Sequence, residues 1–297
     1  MSGTIRSRAD ELRAARVPFV HARVVVAEPP TSAKPGAEAL VLGDGTIEGF
    51  VGGSCAESTL RAQGLALLDS GESLVLRITP EPDEGQPGKL VVHNPCLSGG
   101  TLEIFLEPVL PAPNLVVVGT APVAEALVAL GERLGYAASL VEEVDASGRA
   151  DAAALVVASH GRGEEAALSA ALEADVPYVG LVASHKRAEA VIASLDFGAD
   201  HTSRVHSPAG LDIGARTPPE IALSILGEIV SLRPRPSGRP VADAQPATEQ
   251  AVDPVCGMNV AMVDASLHLD RDGTRSWFCG TGCLRAFANS PQTYLNS

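Results

Sequence analysis

From Asn114 to Leu232 the chain alternates short apolar runs with longer amphipathic ones, and this alternation constrains the fold more than any other feature. Leu115-Val116-Val117-Val118 reads as a strand that leads through Gly119 into a helix ending near Leu134. Ala138–Val141, Ala154–Ala158 and Tyr178–Val182 read as further strands, with helical patterns over Glu164–Glu173 and Lys186–Leu195. Strands and helices alternating at this spacing build a doubly wound parallel sheet. Aromatics make up only 3% of the chain, so its core must come from Val, Leu, Ile and Ala, which suits buried parallel strands. A last helix should start at Thr217-Pro218-Pro219-Glu220, where Thr is an N-cap, Pro fits the first helical position and Glu falls three residues on.

The residues before this block have a different pattern. Phe19–Ala27, Leu74–Ile78, Leu90–His93 and Leu102–Leu106 read as strands, and Ser58–Leu68 as a helix. Ala39–Leu42 and Ile47–Val51 flank Gly43-Asp44-Gly45, a hairpin signal. The expected organisation is therefore an α+β domain over 1–111 and an α/β domain over 112–233. Residues 234–250 hold Pro234, Pro236, Pro240 and Pro246 with few large apolar side chains, so they should form an extended, mobile linker. Residues 251–297 make a third block, too short to rest on core burial alone.

The formal net charge of −14 and the lack of a basic stripe argue against nucleic acid as a partner. Met1-Ser2-Gly3-Thr4-Ile5-Arg6 has no apolar signal-peptide core, and no apolar run reaches the roughly 18 residues of a membrane span. A cytoplasmic location is expected, where cysteines bind metal or react more often than they form disulfides.

Three of the five cysteines fall in the last block. They occur in Asp253-Pro254-Val255-Cys256-Gly257-Met258 and Trp277-Phe278-Cys279-Gly280-Thr281-Gly282-Cys283. Cys279 and Cys283 are spaced for one face of a helical turn, and Cys256 can complete a three-thiolate site for zinc, copper(I) or an iron–sulfur centre. His268, Met258 or water could be the fourth ligand, and a bound metal would stabilise so small a block. The alternative is three cysteines buried as small hydrophobes.

The first block carries the other two cysteines in Gly-rich turns, Gly52-Gly53-Ser54-Cys55 and Cys96-Leu97-Ser98-Gly99-Gly100. Backbone amides in such turns can meet an anionic ligand beside a thiol. Cys55 also precedes a predicted helix, which favours its thiolate. Cys55 and Cys96 are thus the candidate reactive residues, and Gly52, Gly53, Ser54, Gly99 and Gly100 candidate cofactor-binding ones. Tight turns with incidental cysteines are the plainer alternative.

The last block resembles a YHS metal-binding domain in Cys256-Gly257-Met258, Phe278-Cys279, Cys283, Phe287, Pro291 and Tyr294, although the name-giving Tyr-His-Ser is not intact. The rest resembles the XdhC/CoxI family, including the CoxF proteins, through Gly52-Gly53-Ser54-Cys55-Ala56-Glu57, Thr101–Pro108 and Pro208-Ala209-Gly210-Leu211-Asp212-Ile213-Gly214-Ala215-Arg216-Thr217-Pro218. The order and spacing of these blocks match from about residue 10 to 232. The resemblance implies a chaperone more than an enzyme, one that binds molybdenum cofactor, as molybdopterin or its cytosine dinucleotide form. It would assist sulfuration or assembly of a molybdenum–copper centre. Its partner would be the apo-form of a molybdenum hydroxylase of the xanthine dehydrogenase or carbon monoxide dehydrogenase type, with a sulfur or copper donor and a homodimer among further implied partners.

Gly119, His160, Asp212 and Arg216 join the candidate cofactor-binding residues on this basis. Two departures from the family pattern stand out. Gly119-Thr120-Ala121-Pro122 replaces a glycine-rich turn, which removes a backbone donor, and Ser159-His160-Gly161-Arg162-Gly163 has one histidine where a His-x-His is common. An NAD(P)-dependent oxidoreductase remains a competing expectation, because Glu142 and Glu143 end the second strand where a ribose-binding acid would sit. A metal carrier or sensor with the α/β part as scaffold is the other.

Overall fold

The computed structural model describes residues 2–81, 88–94, 100–143, 152–233, 249–271 and 273–295. The chain divides into two compact units, one of Met1–Pro111 with Pro236–Ser297 and one of Ala112–Arg235. Most of the expected linker lies outside the described residues.

The second unit is the doubly wound sheet. Strands β7 (Asn114–Val118), β8 (Ala137–Val141), β9 (Ala152–Val157), β10 (Val179–Leu181) and β11 (Val205–His206) are all parallel, in the order β11-β10-β9-β7-β8. Alternate side chains of β7 point to opposite faces, as the pleat requires. Leu115 and Val117 pack with Leu127 of α3 (Pro122–Arg133) and Ile225 of α7 (Pro218–Leu232). Val116 and Val118 pack with Leu168 of α4 (Glu164–Glu173) and Val191 of α5 (His185–Ala193). A short α6 (Ala199–Thr202) precedes β11. The expected cap of the last helix forms: the Glu220 carboxylate accepts the Thr217 N–H at 2.8 Å. The strand order reverses between β7 and β9, so the turns at Gly119 and His160 leave the sheet at its switch point, where ligands bind in sheets of this kind.

In the first unit a six-stranded sheet runs β3-β2-β1-β6-β4-β5. The strands are β1 (Phe19–Glu28), β2 (Glu38–Leu42), β3 (Ile47–Gly49), β4 (Leu74–Thr79), β5 (Lys89–His93) and β6 (Thr101–Val109). All pairs are antiparallel except β4 with β5. Helix α1 (Ser2–Ala14) covers Phe19 and Leu40 with Ala9 and Leu12. Helix α2 (Ser54–Ser70) packs Ala56, Leu60 and Leu67 on Val20, Ala22 and Val24. It stops at Gly71, whose left-handed φ of 70° lets its N–H reach the Leu67 carbonyl at 2.9 Å.

Helix α2 starts four residues earlier than the sequence pattern predicted and has a second buried face. Ala62 and Leu65 are covered by Ala261, and Leu68 and Val263 pack alongside. Burying a leucine fully is worth roughly 1.5–3 kcal/mol, so the C-terminal segment gains from α2 the core it is too short to supply. That segment holds two hairpins, β12 (Gln250–Val252) with β13 (Asn259–Ala261) and β14 (Leu267–Arg271) with β15 (Thr274–Phe278). Helices α8 (Thr281–Asn289) and α9 (Pro291–Leu295) follow. Phe278 and Phe287 meet with ring centroids 5.2 Å apart, and Phe287 meets Tyr294 at 6.4 Å.

Candidate metal centre and cavity

Two helix N-termini meet in the first unit. Gly53 caps α2 and places Cys55 in its first turn; Gly280 caps α8 and places Cys283 in its first turn. Cys279 precedes Gly280, and Cys256 sits in the turn between β12 and β13. The Sγ atoms of Cys256 and Cys279 are 3.5 Å apart, those of Cys279 and Cys283 3.8 Å, and those of Cys55 and Cys279 4.0 Å. None of these four cysteines is in a disulfide. Cys279 is buried and the other three are half-buried.

The fully buried Asp253 organises the cluster. Its Oδ1 accepts the Val255 N–H at 2.9 Å and its Oδ2 accepts the Cys279 N–H at 2.8 Å. Gly257 takes a left-handed φ of 75°, and the Met258 N–H is brought onto the Cys256 sulfur. Among the described residues, the ligand atoms of Asp253, Cys256, Cys279 and Cys283 all lie within 4.8 Å of one another, so the group can hold a metal ion. His268, an expected candidate for a fourth ligand, is not in it. The register pairs His268 with Trp277, its Nδ1 lies 2.9 Å from the Ser266 carbonyl oxygen and its ring packs on the indole. Met258 is buried among the cysteines.

The thiols titrate as a set. The hydrogen bond from Cys279, helped by the Met258 N–H, lowers Cys256 to about 7. Its hydrogen bonds with Cys256 and Cys55, followed by burial, push Cys279 far up. Burial first, and then the Asp253 charge, push Cys283 up to about 12. The arrangement therefore favours one thiolate, on Cys256, at its neighbours' expense. A cation in their midst reverses that preference, because its charge favours ionisation of every sulfur it touches.

The cluster forms part of the wall of a cavity of about 980 Å³. Gly53, Ser54, Cys55, Gly100, Cys256, Cys279 and Cys283 all line it, so the structure gathers these sequence candidates at one place. Gly52 is buried beneath, with a φ of 153°. A side chain at Gly100 would meet the Pro30 carbonyl oxygen at 2.3 Å, which ties that residue to the loop after β1. Cys96 and Gly99 lie outside the described residues. Sequence reasoning missed other lining residues, Pro29-Pro30-Thr31-Ser32 and Asn94, and it missed Asp253. The turn-forming Pro-Pro-Thr-Ser run and the Asp-Pro two residues ahead of Val255 were the available signals.

The remaining candidates belong to the second unit. Gly119 has a φ of 117°, and a side chain there would lie 2.4 Å from the Ala158 carbonyl oxygen. Its N–H donates to Val141 and that of Ala121 to Ala158. His160 is exposed with a φ of 53°. Beneath it, the buried Glu164 accepts the Gly161 N–H at 2.8 Å and pairs with Arg187 at 3.0 Å. Asp212 and Arg216 are exposed, and the Arg216 N–H donates to Glu220. Among the described residues no helix is long and apolar enough to cross a membrane.

Comparison with known proteins agrees with this architecture. Residues 12–79 match the model of the XdhC and CoxI family, and residues 115–229 match the XdhC Rossmann domain. The uncharacterized protein YqeB of Escherichia coli K12 is 26% identical over 277 residues, covering 84% of this chain and 50% of YqeB. This chain thus spans about half the length of that relative. The molybdenum cofactor insertion chaperone PaoD of E. coli K12 is 25% identical over 258 residues, covering 68% of this chain and 80% of PaoD. One probable xanthine dehydrogenase subunit from Bacillus subtilis 168 is 32% identical over 83 residues, covering 28% of this chain and 24% of that protein. The two family models lie in chain order, one on each unit and together over more than half of the sequence, and the chain belongs to the XdhC and CoxI family.

Proposed function

We propose that this protein is a maturation factor that receives molybdenum cofactor and passes it to the apo-form of a molybdenum hydroxylase of the xanthine dehydrogenase or carbon monoxide dehydrogenase type. The observation that carries the reading is the cavity of about 980 Å³ with Gly53, Ser54 and Cys55 of the α2 N-terminus in its wall. That volume is at the upper end of small-molecule sites, roughly 300–1,000 Å³. Amides and dipole at a helix N-terminus favour an anionic group such as the cargo's phosphate. The likeness to PaoD, itself named as an insertion chaperone, supports the same reading.

In this reading Ser54, Gly53 and Gly100 contact the cargo, and Cys55 and Cys96 are the thiols available to it. Cys256, Cys279 and Cys283 hold zinc, copper or iron, with an all-sulfur set favouring zinc or copper(I). Gly119, His160, Asp212 and Arg216 are the second unit's own candidates for binding cofactor. Reduced thiols fit a cytoplasmic setting. The competing nicotinamide reading draws less support, because the Gly119 and Ala121 N–H groups are already bonded within the fold and Pro122 has none.

An activation assay tests the proposal. Apo-hydroxylase, molybdenum cofactor and the purified chain are mixed anaerobically and enzyme activity is followed. The chain should raise the yield of active enzyme, and Ser32→Trp, which fills the cavity from its exposed rim, should abolish most of the gain. No gain with the unaltered chain, or a full gain with Ser32→Trp, would overturn it.

A further inference from the structure

We propose that Cys55 is the fourth thiolate of a closed, zinc-class metal site with Cys256, Cys279 and Cys283, and that the bound metal staples the C-terminal segment to helix α2. This rests on the reading of the last three cysteines as metal ligands and, by assigning Cys55 to the metal, leaves Cys96 as the thiol available to the cargo of the proposed function.

A tetrahedral zinc with zinc–sulfur bonds of about 2.3 Å separates its sulfurs by roughly 3.8 Å. The sulfur pairs here stand at 3.5, 3.8 and 4.0 Å, with Cys279 common to all three and Cys55 the partner in the last; Cys55 stands outside the set whose ligand atoms all lie within 4.8 Å of one another, so its thiol has to close in when a metal binds. Cys55 also packs in the same small cluster as Met258, Val260 and Trp277.

The other groups near the fourth position are held by the fold. Asp253 is close enough to ligate, and each of its oxygens keeps a second lone pair, but both oxygens are held by backbone N–H groups, of Val255 and of Cys279. It therefore supports the turns that present Cys256 and Cys279, as outer carboxylates do around metal ligands. His268 is turned onto Trp277.

Four thiolates around a divalent ion leave a net negative charge. Cys55 and Cys283 each lie in the first turn of a helix, α2 and α8, whose N-terminal dipoles offset that charge. The close approach of the two caps depends on Gly280: a side chain there would stand 2.8 Å from Ser54 Oγ and 3.6 Å from Cys55 Sγ. Cys55 and Cys279 are 224 positions apart, so one ion joins distant parts of the chain and fixes the thiol-bearing wall of the cavity.

The test uses the full chain, reduced and stripped of metal, with zinc(II) alone as the probe. Maleimide labelling followed by peptide mass spectrometry reads each cysteine with and without one equivalent of zinc. Zinc should slow labelling of Cys55, Cys256, Cys279 and Cys283 alike, by roughly tenfold or more. Cobalt(II) gives a second readout: in Cys55→Ser the thiolate-to-cobalt absorbance should fall by about one quarter, one ligand of four. Protection of Cys256, Cys279 and Cys283 with Cys55 labelled at its zinc-free rate would overturn the assignment of Cys55 and leave the three-thiolate reading standing. Protection of none of the four would overturn both. If Cys55→Ser does not fold, labelling of the unaltered chain decides alone.

Discussion

Cys279 donates its backbone N–H to Asp253 Oδ2 at 2.8 Å, and the Asp253 side chain is fully buried. The other oxygen accepts from Val255, one residue before Cys256, so a single carboxylate sets the backbone at two thiols. Asp253→Ala leaves the buried Cys279 N–H and the half-buried Val255 N–H without this acceptor. We expect zinc affinity to drop by about 10–100-fold and stability by about 2 kcal/mol. Asp253→Asn keeps one acceptor and should be milder. Competition with a coloured chelator measures both, and complete loss of zinc in Asp253→Asn would make Asp253 a ligand.

Chelation should loosen the C-terminal segment from α2. Ala62 and Leu65 are buried by Ala261, so removing zinc should speed hydrogen exchange along the Ala62–Leu65 stretch. The amides of β7 and β9, in the other unit, should exchange at an unchanged rate. Unaltered exchange in α2 after full zinc removal would count against a stapling role.

Gly119→Ala tests the β7 turn. The backbone there has a φ of 117°, and the new Cβ would press on the Ala158 carbonyl rather than on a flexible side chain. A loss of more than about 2 kcal/mol is expected, read from urea unfolding. Zinc stoichiometry should be unchanged, because all four thiols lie in the first unit.

The sheet of the second unit was legible in the sequence because buried parallel strands and their helices have opposite periodicities, and Val116-Val117-Val118 cannot be satisfied on a surface. The cap at Thr217 was legible for the same kind of local reason. The thiol cluster was legible only in part. Spacing within 251–297 brought Cys279 and Cys283 together, but nothing local links Cys55 to them. That link depends on the second buried face of α2, Ala62 and Leu65, which in a linear reading looks like ordinary helix. His268 was a reasonable ligand by residue type. Strand register turned it onto Trp277, and register is not visible in one strand alone.

Glu103 carries a pH-dependent contribution to the six-stranded sheet. Hydrogen bonds from Lys89 at 2.6 Å and Arg77 at 2.8 Å hold its carboxyl below the ordinary value of 4.5, against the opposing effect of burial. A depressed carboxyl stabilises the fold above its unfolded value and loses that contribution as pH falls through the folded one. Glu103→Gln should therefore lower stability at neutral pH by about 1 kcal/mol, a modest figure because both cations keep some contact with water. The difference between the two proteins should shrink below pH 4.5. A difference that grows on acidification would contradict the assignment.

Cofactor content is the most direct measurement of what the cavity carries. The chain is co-expressed with a molybdenum hydroxylase operon and purified under argon. It is then assayed for molybdenum and, after oxidation, for fluorescent pterin. We expect both to co-purify in a near-constant ratio and to fall sharply in Ser32→Trp. A folded, zinc-loaded protein that retains neither molybdenum nor pterin would contradict the proposed function.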